Sequence, residues 1–246
     1  MAGTLLLNIN NSFTKAAFWK NGSLRPLGRK PTEETDSAQF EKWISRCHPD
    51  QIVVASVVPE VEACLKTSRS LPIHFITHRS PLEIEIRFPQ PGTIGADRLC
   101  NACAVAATGE VPAVVVDYGT AVTFDIISAK KEYLGGVIAP GMRIFRDYLA
   151  ERTALLPRVQ ISQPTGVVGK STREAMRSGA YFGYRGLVKE ILEEIRSELK
   201  AKQLAIIATG GDSSLFKNED TLFHHHDPDL TFKGMGLVAA RLPSLL

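Results

Sequence analysis

The chain is poor in the features that mark several protein classes. Four cysteines in 246 residues are too few for the disulfide framework of a small secreted scaffold. No uninterrupted apolar run reaches the roughly 18 residues that a membrane-crossing helix needs. The sequence does not open on a basic segment followed by a cleavable apolar core, which sets the expectation of a soluble, cytoplasmic protein with no membrane partner. Neither sign of charge dominates: 29 Lys and Arg stand against 26 Asp and Glu, for a net charge of +3. Without a concentrated Lys/Arg run, nucleic acid is not the expected partner. The apolar share, 44%, is ample for one large or two modest cores.

Two cysteines, Cys100 and Cys103, have the C-x-x-C spacing of redox and zinc sites. They lie in a stretch of small residues, 96–106, that reads as a packed helix, and no second pair follows at finger spacing. Buried structural thiols are therefore expected. The run His224-His225-His226 has the look of a metal tract. Three adjacent side chains point in different directions, however, so a solvated loop is expected there.

What the chain does have is a repeated opening. Residues 5–12, Leu-Leu-Leu-Asn-Ile-Asn-Asn-Ser, join a buried-strand run to a polar turn and a second strand. Residues 114–120, Val-Val-Val-Asp-Tyr-Gly-Thr, do the same about a hundred residues later. Such turns present backbone N–H groups and short polar side chains that can cradle phosphate oxygens. Strands are predicted near 4–10, 13–20, 23–30, 51–58 and 73–77, with helices at 37–47 and 60–69. The order then repeats, with strands near 112–117, 121–128, 132–138 and 204–209 and helices near 142–151, 171–200 and 234–242. Three strands before the first helix, twice over, imply an α/β fold built by duplication. The domains are expected at 1–110 and 111–246, with a ligand cleft between them.

Between the repeats, the Pro/Gly-rich stretch 88–98 reads as a shaped loop. It delivers Asp97 and Arg98 to the start of a helix. An acid and a base at such a junction suit proton transfer and anion holding. Glu151 and Arg152 read as a helix-surface pair with a structural or dimer role. The apolar face of 171–200 reads as core or dimer interface.

Taken with Gly95-Ala96-Asp97-Arg98, Asp117-Tyr118-Gly119-Thr120-Ala121, residues 133–141 (Tyr-Leu-Gly-Gly-Val-Ile-Ala-Pro-Gly), residues 150–157 and Gly169-Lys170-Ser171-Thr172, the chain resembles the type III pantothenate kinases over essentially its whole length. These motifs occur together and in the family's order. The resemblance implies two duplicated ribonuclease H-like (actin-like ATPase) domains. It implies transfer of phosphate from ATP to pantothenate, the first step of coenzyme A synthesis. It further implies a homodimer, Mg²⁺ with the nucleotide, and a monovalent cation, K⁺ or NH₄⁺. Carried over by position, Asp97 is the catalytic base, and Phe88, Gly95, Ala96, Arg98 and Thr172 contact substrate, Thr172 from the partner subunit. Asn8, Asn10, Asn11, Ser12, Lys15 and Thr120 bind ATP. Gly210 and Gly211, after Thr209, resemble the adenosine motif. Asp117 is the monovalent-cation ligand.

One loop departs from the pattern. The family has Asp-x-Gly-Asn-Thr where this chain has Asn8-Ile9-Asn10-Asn11-Ser12. Asn8 keeps an oxygen and loses a charge expected to help organise Mg²⁺. Asn10 replaces glycine, and asparagine tolerates left-handed backbone better than most residues. Two readings stay open here: a working kinase with weakened metal binding, or a catalytically impaired homologue that binds or regulates.

Overall fold

The computed structural model describes residues 3–66, 71–216 and 222–243. In chain order it forms β1 (Thr4–Ile9), β2 (Phe13–Lys20), β3 (Ser23–Pro31), α1 (Ser37–Cys47), β4 (Gln51–Ser56), α2 (Pro59–Lys66), β5 (Ile73–Phe75) and β6 (Glu85–Ile86). Then follow α3 (Ala96–Thr108), β7 (Ala113–Tyr118), β8 (Ala121–Ile127), β9 (Glu132–Pro140), α4 (Met142–Arg152), α5 (Thr172–Leu199), β10 (Ala205–Thr209), β11 (His225–His226) and α6 (Leu230–Ala239). Residues 67–69 of the helix expected over 60–69 lie outside the described residues.

Local chemistry sets most of these boundaries. Asn21-Gly22 closes the β2–β3 hairpin with φ of 51° and 79°, the backbone that a two-residue hairpin turn of this hand requires. Asp36 caps α1 by accepting from the Gln39 N–H at 2.9 Å. Ser171 caps α5 by accepting from Glu174 N–H, and Glu174 reaches back to the Lys170 N–H at 2.6 Å, a reciprocal cap of the first turn. Pro59 opens α2, because its missing N–H costs nothing in a first helical turn.

The first sheet has the order β3-β2-β1-β4-β5, with β1 antiparallel to β2 and parallel to β4. The second has the order β11-β10-β7-β8-β9-β6. Read as β9-β8-β7-β10-β11, it repeats the first, with β6 added outside β9. The duplication expected from the sequence is thus present as strand order.

The residues group into two compact units. One comprises Met1–Val111, Asp125–Gly135 and Asp229–Leu246; the other comprises Pro112–Phe124 and Gly136–Pro228. In the first, β1 is buried along its whole length, as a central strand covered on both faces must be. Leu5, Leu7 and Ile9 point to one face, with Phe40, Trp43 and Leu65 of α1 and α2. Leu6 points to the other, with Cys100 and Cys103 of α3 and Phe232, Met235 and Val238 of α6. The two C-x-x-C thiols are therefore core residues, and burial pushes Cys103 up to about 12. The core of the second unit is aromatic: Tyr118, Tyr181, Tyr184 and Phe216 pack ring against ring.

Three expectations need correction. The last helix spans Leu230–Ala239, not 234–242. Its glycines sit inside the helix because Gly234 lies against the Cys100 backbone and Gly236 against the Trp19 ring. His225 and His226 form a strand parallel to β10, not a solvated loop. His224 Nδ1 accepts from the Ile206 N–H at 3.0 Å. Glu151 pairs with Arg158, not with Arg152, while the Arg152 guanidinium lies 5.9 Å from the Tyr148 ring centroid.

Candidate active site

Asp97 stands in the first turn of α3. Its Oδ1 accepts from the Arg98 N–H at 2.9 Å. Burial pushes the Asp97 carboxyl above its ordinary range, and that bond together with the Arg98 charge pulls it only partly back. Arg98 turns to the strands. Its Nε donates to Asp125 Oδ1 at 2.7 Å, and Asp125 is fully buried. Tyr133 on β9 donates its hydroxyl to the same Oδ1 at 2.9 Å. Arg98 Nη2 and Asp125 Oδ2 are buried without a hydrogen-bond partner among the described residues. Phe88 meets the Tyr133 ring edge-on, with centroids 6.4 Å apart. Gly95 and Ala96 line a neighbouring cavity of about 510 Å³ with Ser56, Val57, His78 and Arg79.

Asp125 and Tyr133 were not legible as site residues. The one signal was an acid inside the apolar run Val122–Ile127, where an ionisable group is costly unless paired. Burial lifts the Asp125 carboxyl from an ordinary 3.8 to about 7, against the pull of Arg98 and the Tyr133 hydroxyl. The folded chain therefore holds this proton more tightly than the unfolded chain does. Its contribution to stability is complete below pH about 4 and is lost as pH rises through about 7. Asp125→Asn is expected to flatten the pH dependence of stability across that window. Urea unfolding at several pH values measures it, and an unchanged slope would show that Asp125 does not titrate there.

The first polar turn belongs to the same unit. Asn8 is buried on β1 opposite Lys15 on β2, so the amide and the ammonium-bearing side chain share a face. Asn10 N–H donates to Phe13 O at 3.1 Å and closes the turn. Thr32, absent from the expected site, clamps it: its N–H donates to Ser12 O at 3.1 Å and its hydroxyl to Asn10 O at 2.5 Å. Asn11 is exposed and Ser12 partly buried. Asn8 Oδ1 and Asn10 Oδ1 are buried and have no hydrogen-bond partner among the described residues.

In the second unit, Asp117 ends the buried run of β7 and lies in register with Thr209 of β10. Gly210 follows with φ +92°, and an added Cβ there would strike Asp117 Oδ1 and the Tyr118 backbone, so only glycine fits. Ser213 donates to Gly210 O at 2.6 Å, and its oxygen lies 2.8 Å from His226 Nε2. With the hydroxyl proton committed to Gly210, His226 is the donor in that second contact. Gly211 lines a cavity of about 350 Å³ with Met142, Gln160, Asp212 and Leu215. Thr120 is exposed, and its carbonyl lies where a Cβ on Gly141 would fall. Thr172 is exposed at the start of α5. Among the described residues, no three His, Cys, Asp or Glu side chains gather as a metal site.

The fold first defines a class: an α/β chain whose two mixed sheets repeat one strand order, as two ribonuclease H-like halves do. A profile of the family "Type III pantothenate kinase" matches residues 4–194. The chain is 44% identical over 236 residues to the type III pantothenate kinase of Akkermansia muciniphila, covering 96% of this chain and 97% of that one. It is 41% identical to that of Methylacidiphilum infernorum, covering 95% and 87%. A solved structure described as a Baf family transcriptional activator from Campylobacter jejuni matches with TM-score 0.62 at 24% identity, covering 98% of this chain and 100% of that one; that likeness bears on fold alone. The chain belongs to the type III pantothenate kinase family.

Proposed function

We propose that this chain transfers the γ-phosphoryl group of ATP to the terminal hydroxyl of pantothenate, in the cytoplasm, as the first step of coenzyme A synthesis. The observation that carries the reading is the buried cluster at the start of α3, where a carboxyl raised by burial adjoins a guanidinium with an unpartnered Nη2. Phosphoryl transfer asks for positioning and charge neutralisation more than covalent chemistry. Asp97 takes the proton of the hydroxyl as its oxygen attacks phosphorus, and ADP leaves. A carboxyl raised towards neutral pH is the better proton acceptor for this step. Arg98, Phe88, Gly95 and Ala96 hold pantothenate in this reading. Thr172 reaches the acceptor of the partner in a homodimer. Exposed apolar side chains at Ile144 and Tyr148, one turn apart on α4, and at Ile138 support such a contact. The duplicated halves divide near residues 110 and 111.

ATP is held by the Asn8–Ser12 turn with Lys15 and by Thr120, Gly210 and Gly211. Asp117 offers a carboxylate to K⁺ or NH₄⁺. The orphaned oxygens of Asn8 and Asn10 fit a hard cation, which takes oxygen ligands, though neither brings a carboxylate's charge. When bound, Mg²⁺ neutralises charge on the nucleotide's phosphates. Asn8→Asp is therefore expected to raise Mg²⁺ affinity about tenfold, by adding one charge next to the ion. Titrating nucleotide binding against Mg²⁺ reads this directly, and an unmoved midpoint would remove the assignment.

The decisive experiment is a coupled assay of ADP release with ATP, Mg²⁺, K⁺ and pantothenate. Release that requires both pantothenate and Asp97 supports a working kinase whose altered turn is tolerated. No release, with pantothenate still binding by calorimetry, would instead mean an impaired homologue that keeps the pocket.

A further inference from the structure

Asp125 and Tyr133 have no part in the chemistry just described, yet they form a buried hydrogen-bonded pair beside it. We propose that Asp125 is a positioning residue of the acceptor site: it selects which edge of the Arg98 guanidinium meets the substrate, with its own Oδ1 held by the Tyr133 hydroxyl. This rests on the reading of Arg98 as a pantothenate contact.

A guanidinium offers two edges for paired hydrogen bonds, Nε with Nη2 and Nη1 with Nη2. In this chain Nε is committed to Asp125 Oδ1 at 2.7 Å. The edge left for a substrate oxygen is Nη1 with Nη2. Nη2 is buried and unmatched among the described residues, the state of a donor awaiting a partner, since such groups are rarely left unsatisfied. The anchor is rigid. Asp125 is 0% exposed and the Arg98 side chain 16%. A free arginine side chain loses rotamer entropy when it binds; one already held loses less.

The same oxygen of Asp125 accepts the Tyr133 hydroxyl at 2.9 Å. Tyr133 lies 5.9 Å below the Arg98 guanidinium carbon and edge-on to Phe88. Gly135 also lies against Phe88: its φ is +128°, and a Cβ there would sit 3.5 Å from the ring. One buried carboxylate thus ties together two side chains that come from separate stretches of sequence.

The test is pantothenate affinity by calorimetry with a non-hydrolysable ATP analogue present, a readout that does not need turnover. Asp125→Ala is expected to weaken pantothenate binding about tenfold or more, the loss of a charge-assisted anchor. Affinity for the ATP analogue should stay within about twofold, and Asp125→Asn, which keeps an acceptor for Nε, should recover most of the loss. If Asp125 acts through Arg98, the double variant with Arg98→Gln binds no more weakly than Arg98→Gln alone, because residues acting as one unit are not additive. Full additivity, or no effect of Asp125→Ala, overturns the proposal and leaves Arg98 as a contact. An unchanged affinity in Arg98→Gln removes the Arg98 reading and the proposal with it. Should Asp125→Ala not fold, Tyr133→Phe decides. A loss of about threefold that vanishes in the Arg98→Gln background supports the proposal, and no loss overturns it.

Discussion

Asp97→Asn is expected to lower kcat for ADP release by roughly 10²–10⁴-fold, the range contributed by a positioned proton acceptor. Asparagine has nearly the shape of aspartate, and its carbonyl oxygen still accepts the Arg98 N–H that Asp97 Oδ1 accepts at 2.9 Å. It cannot take a proton. Loss of rate with unchanged affinity for pantothenate and ATP therefore isolates the chemical role from the structural one. The electrostatics sharpen the expectation. Burial raises the Asp97 carboxyl, and its bond from Arg98 offsets this only in part. The base is thus protonated over a wider acidic range than a surface aspartate. In the wild type, kcat should fall on the acid side with a midpoint above the usual carboxylate range. A variant that keeps more than a tenth of the rate, or an acid limb at the ordinary aspartate position, would take the base role away from Asp97.

How much of this was legible in the sequence depends on how local the cause is. The hairpins, α1 and α5 could be read because their signals lie within a few residues: Asn21-Gly22 for a turn, Asp36 and Ser171–Glu174 for caps. The two edge strands β6 and β11 could not. Each has two residues, too few for any periodicity to show, and each exists only because a distant strand pairs with it. The site divides in the same way. Gly95 to Arg98 stood out through their motif. Asp125 and Thr32 did not, and Tyr133 stood in a motif without a role, since each acts on a residue 8 to 27 positions away or brought near by the sheet. The start of α6 was misplaced for a physical reason too. The helix begins four residues earlier, at Leu230, and carries Gly234 and Gly236 inside it, where close packing demands them.

That packing supports the second large prediction. Gly234→Ala should destabilise the chain by about 3 kcal/mol or more, the upper part of the range for overpacked cores. Two effects oppose each other at this position. Alanine is the better helix former by about 1 kcal/mol, which favours the variant. The new Cβ, however, would fall on the Cys100 carbonyl oxygen and within 2.9 Å of its Cα. Those atoms are backbone in the middle of α3 and cannot rotate aside as a side chain would. The two helices must separate, and with them the buried bond from Thr231 to Asn101, now 2.8 Å. Against a total stability of about 5–15 kcal/mol, the clash outweighs the propensity gain. Gly179 supplies the control. It is exposed within α5, and an added Cβ meets nothing within 4 Å, so Gly179→Ala should stabilise by about 0.5–1 kcal/mol. Urea unfolding of both variants tests the argument through the difference in sign. If Gly234→Ala proved neutral, the close crossing of α3 and α6 that presents Asp97 and Arg98 would be wrong.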